Sequence, residues 1–254
     1  MNKISKAIII AAGRGSRLMP LTDGKPKCLI EVGAKTILER QFEVLRGRGI
    51  TDIIVVRGYK KELINYPEIK YCENTDYLNN NILKSLFYAE KEMDKGFIFS
   101  YSDIIYGEDI VKTLLKTKGD IVLVVDTNWQ KHYKGRKKHP VGEAELVKVK
   151  NGKIIKIGKD VVKINESHGE FIGLAKFSDA GAKIVKDIYR DLLNKYKEND
   201  FFQHAKEFKK AYLTDFIQEL IDRGNEINII NINHGWIEID TDEDLERAER
   251  QWGD

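Results

Sequence analysis

The sequence predicts an α/β fold built on a doubly wound, mixed β-sheet. Three observations point there. The first half alternates short runs rich in Ile, Val and Phe with stretches of helical periodicity, the rhythm of strands joined by crossover helices. The first of these runs leads straight into a glycine-rich turn, and ligands in open α/β sheets bind at the carboxyl ends of strands. The second half begins instead with two adjacent strand-like runs joined by Asn151-Gly152, a tight hairpin signal.

Lys6-Ala7-Ile8-Ile9-Ile10 reads as a buried strand, expected over Ala7–Ala11. Ala34–Gly47 reads as a helix, because Ile37, Leu38, Phe42 and Leu45 share one face. Asp52–Arg57 is the second strand and Ile69–Cys72 the third. Asn79–Met93 is expected as one helix burying Ile82, Leu83, Leu86, Phe87 and Ala89. Phe97–Tyr101 and Asp120–Val125 are strands, with a short helix at Asp109–Lys116 between them. Further on, Glu145–Lys150 and Lys153–Ile157 form the hairpin, and Glu170–Phe177 is another strand. Helices are expected at Ala180–Tyr196 and Ala211–Arg223, strands at Asn228–Ile232 and Trp236–Ile239, and a closing helix at Thr241–Gln251. Thr241 stands three residues before Asp244, where it can cap that helix. Residues 1–254 are read as one domain.

The 42% apolar and 33% charged composition suits a soluble domain with a sizeable core. A net charge of +3 gives no reason to propose a nucleic-acid surface. The basic run Lys131, Lys134, Arg136, Lys137, Lys138 is short and reads first as a solvated loop. Cys28 and Cys72 offer neither a disulfide framework nor zinc spacing. The start, Met1-Asn2-Lys3-Ile4-Ser5-Lys6, leads directly into a strand, and no apolar run has membrane length. A cytoplasmic setting, with no membrane and no nucleic-acid partner, is the default expectation. The composition leaves a homodimer open.

Most of the chemistry is concentrated after the first strand, in Ala11-Ala12-Gly13-Arg14-Gly15-Ser16-Arg17-Leu18-Met19-Pro20 and Lys25-Pro26-Lys27. Glycines let the backbone approach an anion, successive N–H groups form an anion nest, and four cations can neutralise phosphate charge. A dinucleotide fingerprint fails here: Leu18 stands where its third glycine belongs, and the second strand ends on Arg57 rather than an acid. The spacing does not fit a Walker loop either. Asp103 follows the strand Phe97–Tyr101, where a carboxylate is well placed to hold Mg²⁺. In Trp236-Ile237-Glu238-Ile239-Asp240, alternation puts Glu238 and Asp240 on one face. Asn79-Asn80-Asn81 precede a helix, and their amides suit either helix capping or the reading of a pyrimidine.

The pattern G-x-G-x-R-L-x-P followed by K-P-K resembles the signature of nucleotidyltransferases that join a nucleoside triphosphate to a phosphorylated small molecule. The segment W-x-E-I-D-T is similar to the second metal-binding segment of the same enzymes. Asn81 and Ser85 match an N-N-x-x-S-L region of bacterial choline-phosphate cytidylyltransferases, although Lys84 stands where those enzymes often have an aromatic residue. The runs D-x-x-W-x-x-x-Y-x-x-R-x-x-H-P-x-x-E-A-E and G-E-F-I-G-L resemble nucleotidyltransferase domains found with phosphoenolpyruvate mutase. The resemblance implies a Rossmann-like sheet of the nucleotide-diphospho-sugar transferase type, with a small β-rich insertion on the acceptor side. It implies Arg17 and Lys27 as catalytic cations. Ala11, Ala12, Gly13, Arg14, Gly15, Ser16, Lys25, Asn81 and Ser85 would bind the nucleotide, and Asp103 and Asp240 would hold Mg²⁺. Asp126, Trp129, Arg136, His139, Glu170 and Glu238 would serve the acceptor. The implied reaction is CMP transfer from CTP to a small phosphonate, such as 2-aminoethylphosphonate or 2-hydroxyethylphosphonate, or to a phosphate monoester, with release of pyrophosphate. Sugar-1-phosphate and phosphocholine nucleotidyltransferases stay open as alternatives. So does a non-catalytic nucleotide-binding regulatory module.

Overall fold

In the computed structural model the described residues are 4–253. Met1–Lys3 of the expected lead-in, and Asp254 of the expected domain, lie outside them. In chain order the strands and helices are β1 Lys6–Ala11, β2 Glu31–Val32, β3 Lys35–Thr36, α1 Ile37–Gly47, β4 Asp52–Arg57, β5 Lys70–Glu73 and α2 Ile82–Phe87. These lead to β6 Phe97–Tyr101, β7 Ile104–Tyr106, α3 Glu108–Lys116, β8 Ile121–Asp126, α4 Gln130–Tyr133, β9 Leu146–Lys150 and β10 Lys153–Gly158. The chain closes with β11 Gly169–Phe177, α5 Asp179–Lys195, α6 Leu213–Asp222, β12 Asn228–Ile232, β13 Trp236–Glu238 and α7 Asp242–Trp252.

Among the described residues the main sheet has nine strands. β1 pairs in parallel with β4 and β6, and β4 with β5. β11 runs antiparallel between β6 and β8, and β12 pairs in parallel with β8. The sheet is therefore mixed, as expected. The two faces of β1 show why it is buried. Ile8 and Ile10 pack with Val56, Phe97 and Phe99 on one side, while Ala7 and Ile9 pack with Val55, Ile98 and Leu45 on the other. Both faces of a central parallel strand must be apolar when helices cover both sides.

Three departures from the expected elements bear on the cleft. The β9–β10 hairpin turns at Asn151 and Gly152, both with positive φ, but it is no separate insertion: β9 pairs with the start of β11 and so extends the main sheet. The Asn79–Met93 helix is shorter than its periodicity predicts. Asn81 caps it by accepting from the Ile82 N–H at 2.9 Å, and its end tightens into i→i−3 bonds at Tyr88 and Ala89 before a 3-10 turn at Glu90–Glu92. Third, β7 was not foreseen. It pairs antiparallel with β13, matching Ile104 to Glu238, and the Ile239 N–H donates to the Asp103 carbonyl at 2.9 Å. A three-residue strand too small to carry a period-2 signal thus draws the expected strand β13 to the segment that follows β6. Thr241 caps α7 in a reciprocal box with Asp244.

Candidate active site

β1 delivers its carboxyl end, Ala11 and Ala12, into the glycine-rich loop. Gly15 has φ +70°, and a Cβ added there would lie 2.6 Å from the Lys27 Cβ, so only glycine lets the loop close over Lys27. The Thr22 hydroxyl fastens that turn by donating to the Gly15 carbonyl at 2.8 Å. Pro26, at φ −60°, starts the turn that carries Lys27 inward. The Lys27 ammonium donates to Asp103 Oδ2 at 2.8 Å and makes a short hydrogen bond to Asp240 Oδ1. Burial opposes the Lys27 charge, but Asp103 and Asp240 outweigh it and hold its pKa above the ordinary lysine range. Asp240 is buried too, yet Lys27 and Arg17 keep its carboxyl below the usual range. Arg17 lies 2.6 Å from Asp240 Oδ2 and 3.3 Å from Glu143, and its side chain is 44% exposed, so it is free to exchange partners.

The β7–β13 pairing is what unites Asp103 and Asp240. They sit at the ends of adjacent antiparallel strands although 137 positions apart (240 minus 103). Ile237 and Ile239 turn the other way, into a small core with Leu18 and Ile105. Asp240 does not cap α7; Thr241 does, which leaves the Asp240 carboxylate to the cations. Two cavities meet at this point. One, of about 290 Å³, is lined by Ala11, Gly13, Lys27, Tyr77, Asn80 and Ser85 among others. The other, of about 470 Å³, is lined by Glu145, Lys159, Glu170, Tyr212 and Glu238 among others. Arg17, Asp103 and Asp240 belong to both.

The donor set suits a hard divalent cation. Asp103, Glu238 and Asp240 supply oxygen, and Asp103 Oδ1 is buried with no hydrogen-bond partner among the described residues. Burial, with Asp240 and Asp103 nearby, pushes the Glu238 carboxyl well above its ordinary range, as expected of an acid awaiting a positive charge. His139 also offers a nitrogen within 4.8 Å of ligand atoms of Glu238 and Asp240. Its Nδ1 lies 2.7 Å from an Arg136 NH2 that can only donate, so Nδ1 is the acceptor and is already engaged.

At the far end of the first cavity the amides form a closed network. The Asn74 amide donates to Asn80 Oδ1 and to Ser85 Oγ, each at 2.8 Å, and Asn80 returns a bond to Asn74 Oδ1 at 3.0 Å. Ser85 lines the cavity. Asn81 does too, but its side chain caps α2 and donates to the Lys210 carbonyl at 3.1 Å. Ser16 lines both cavities. Arg14 and Lys25 line neither; Arg14 lies over the Tyr59 ring, 5.6 Å from its centroid.

The residues expected around the acceptor divide in two. Glu170 and Glu238 line the second cavity. The other four do not. Asp126 is fully buried and accepts from Trp236 Nε1 at 2.8 Å and the Asn128 N–H at 2.7 Å, with His132 Nε2 at 3.0 Å. With both oxygens engaged and no exposed surface, its carboxylate faces its neighbours and not a ligand. Trp129 is packed with Tyr133, Ala144, Leu146 and Val162, which leaves its face no room for a cation. Arg136 grips Asp244, with Nε 2.7 Å from Oδ1 and NH2 2.7 Å from Oδ2, and its side chain is only 4% exposed. His139 is buried behind Asp240 at 3.4 Å, and burial beside Arg136 pushes its pKa down to about 4. Arg136 and His139 therefore stand behind the carboxylates instead of facing a ligand.

Among the residues not singled out from sequence are Asn74, which bonds to the cavity-lining Asn80 and Ser85, and Glu145, Lys159 and Tyr212, which line the larger cavity. Asn74 directly follows β5, and a polar residue at a strand's carboxyl end was a usable signal. Glu145 belongs to a motif already noted. Lys159 and Tyr212 sit in loops where nothing local marks them.

The profile of the MobA-like NTP transferase domain matches residues 7–150. The chain is 37% identical to the CTP:phosphoglutamine cytidylyltransferase of Campylobacter jejuni, over 94% of this chain and 97% of that one. It is 29% identical to the 2-aminoethylphosphonate cytidylyltransferase of Lancefieldella rimae, over 85% of this chain and 82% of that one. The inositol-1-phosphate CTP transferase from T. maritima shares the fold, with a TM-score of 0.75 at 20% identity, covering 99% of this chain and 98% of that one. The strand order, the glycine-rich loop and these likenesses agree: the chain belongs to the MobA-like NTP transferase family and is a nucleotidyltransferase.

Proposed function

We propose that the protein transfers CMP from CTP to a small acceptor bearing a phosphate or phosphonate group. The observation that carries this reading is Lys27, held between Asp103 and Asp240 where the two cavities meet. Two relatives named as cytidylyltransferases, both aligned over most of this chain, support CTP as the donor. The Asn74–Asn80–Ser85 network supports the smaller cavity as the seat of the base.

In this reaction an acceptor oxygen attacks the α-phosphorus, the bond from that phosphorus to the β-phosphate oxygen breaks, and pyrophosphate leaves. A phosphate monoester carries about −1.5 to −2 charges at pH 7, so the nucleophile is already anionic and needs no general base. His139, with its pKa near 4, is accordingly no candidate for that role. The protein must instead bring two anions together and offset the charge that builds on the α-phosphate. Lys27 does this from the junction, on a stem that Gly15 and Pro26 hold in place. Arg17 can leave Asp240 and Glu143 to meet the phosphates. When bound, Mg²⁺ held by Asp103 and Asp240, with Glu238 beside them, would neutralise phosphate charge at the junction.

The test is to incubate the protein with each of the four nucleoside triphosphates, Mg²⁺, and a panel of phosphonates, phosphate monoesters and sugar phosphates, and to measure pyrophosphate. Release is expected with CTP and small phosphonates or phosphate monoesters. Release with sugar 1-phosphates alone would overturn the acceptor assignment. No release with any pair would favour a regulatory nucleotide-binding module.

A further inference from the structure

We infer that the acceptor end of the cleft selects a molecule whose far end is a protonated primary amine, and that Glu170 is the residue that reads it. The inference rests on the transfer reading above for the identity of the cavity, and it goes further by choosing among the acceptors that reading leaves open.

The observation is an imbalance. Beyond Arg17, the larger cavity is lined by the carboxyl groups of Glu143, Glu145, Glu170 and Glu238 against a single cation, Lys159. Lys159 is already committed: its ammonium donates to Glu143 at 3.0 Å and lies 4.6 Å from the centre of the Tyr212 ring. Arg136 is bound to Asp244 and lies 3.6 Å from Glu238. Among the described residues neither Glu145 nor Glu170 has a cation within ion-pair distance, although the charge of Lys159 reaches Glu145.

Glu170 is the more specific of the two. It is 5% exposed, and the Tyr133 hydroxyl donates to its Oε1 at 2.5 Å, which fixes the carboxyl in one orientation. Its Oε2 is buried and has no hydrogen-bond partner among the described residues, in a side chain that lines the cavity. Glu145 lines the same cavity and accepts from the Tyr101 hydroxyl at 3.0 Å and the Thr214 hydroxyl at 3.3 Å. A buried polar atom left unpaired is costly, and a native site that keeps one normally meets its partner in a ligand. Burial also pushes Glu145 up to about 7 and Glu170 up to about 8, which is how buried acids behave until a positive charge arrives.

The chemistry that meets these conditions is an N–H donor with a positive charge. A primary ammonium supplies both. A terminal hydroxyl supplies a donor without the charge. A trimethylammonium supplies the charge without a donor and leaves Oε2 unpaired. The acceptor is therefore read at both ends: its phosphate or phosphonate at the Arg17–Lys27 junction, and its ammonium at Glu170 with Glu145 alongside.

The experiment compares matched ligands by calorimetry, with Mg²⁺ and a non-hydrolysable CTP analogue bound. The pairs are 2-aminoethylphosphonate against 2-hydroxyethylphosphonate, and phosphoethanolamine against phosphocholine. In the native protein each amine should bind at least about tenfold tighter than its partner, the size expected of one charge-assisted hydrogen bond. Glu170→Gln should reduce both preferences to within about twofold while affinity for the CTP analogue is unchanged. Tyr133→Phe, which keeps the ring and loses the hydroxyl that aims Glu170, should fall between the two. Equal binding of amine and hydroxyl ligands by the native protein, or an undiminished preference in Glu170→Gln, would overturn the inference. Pyrophosphate release at equal kcat/KM from amine and hydroxyl acceptors would also overturn it while leaving CMP transfer standing. Amine binding that depends on Glu170, with no pyrophosphate release, would sustain it and overturn CMP transfer.

Discussion

The two ends of the cleft are charged in opposite ways, and the contrast explains how each works. At the junction every charge has a counterpart: Lys27 with Asp103 and Asp240, and Arg17 with Asp240 and Glu143. These groups hold one another in place, so on the proposed reading little reorganisation is left for the reaction. At the other end Glu145 and Glu170 are buried with phenols and a threonine hydroxyl as partners, and with no cation within ion-pair distance among the described residues. On the inference above, that end is completed by its ligand. On the proposed reading, the paired charges serve turnover and the unpaired acids serve selection.

The largest expected effect tests the junction. Lys27→Ala should lower turnover about a thousandfold, the scale of removing a principal charge-stabilising group, while circular dichroism shows an unchanged fold. Near-normal turnover would remove Lys27 from the reaction. Asp103→Asn and Asp240→Asn should come next, with the Mg²⁺ concentration needed for half-maximal rate raised about tenfold or more. An unchanged Mg²⁺ titration would deny them the metal.

The residues behind the junction should affect stability before chemistry. Arg136→Ala leaves Asp244 buried without its guanidinium and should cost about 3 kcal/mol in denaturant unfolding. Asp244 also accepts from the Asp240 and Thr241 N–H groups at 3.1 and 2.9 Å, so the backbone beneath Asp240 should loosen with it. A variant as stable as the native protein would show that this clamp holds nothing.

At the acceptor end, pH separates the two regions. The folded-state pKa of Glu170 is raised to about 8, against about 4.3 for an unfolded glutamate. Between those values the folded protein binds a proton that the unfolded chain has released. Its contribution to stability is therefore full below about pH 4.3 and is lost as pH rises towards 8. Glu170→Gln should remove that loss, so the ligand-free variant should gain Tm over the native protein at pH 8 compared with pH 5. Equal differences at both pH values would mean that Glu170 is not held protonated. Asp240 behaves in the opposite sense: its depressed pKa gives stability that is present above the ordinary aspartate range and is lost only as pH falls below it. The smallest effect on activity is expected from Trp129→Phe. It should cost about 1 kcal/mol through lost packing and leave kcat/KM for the acceptor within about twofold. A large loss would return Trp129 to the acceptor site.

The same contrast governs what could be read from sequence. The junction was legible because its parts are local. Gly15, Arg17 and Lys27 fall within one loop, and Asp103 and Asp240 each end a recognisable strand. What brings the two aspartates together was not legible, because β7 has only three residues and pairs with β13 across the chain. The acceptor end was read less well because a polar loop residue gives no sign of which way it will face. Asp126, Trp129, Arg136 and His139 are spaced like a binding motif, yet each folds inward to support a neighbour. Lys159 and Tyr212 reach the cavity from separate loops, and only the closed fold shows it. Glu170, named through its G-E-F-I-G-L motif, lines the larger cavity from β11, beside Asp126 of β8, which does not.

The central claim is that an acceptor oxygen replaces pyrophosphate on the α-phosphorus of CTP at the Lys27 junction. It is tested most directly by ³¹P NMR of the protein with CTP, Mg²⁺ and 2-aminoethylphosphonate. The phosphonate signal should move to that of a mixed anhydride coupled to CMP, with pyrophosphate appearing in equal amount, and Lys27→Ala should abolish both changes. A phosphonate signal that stays in place while CTP yields only inorganic phosphate or CDP would contradict it.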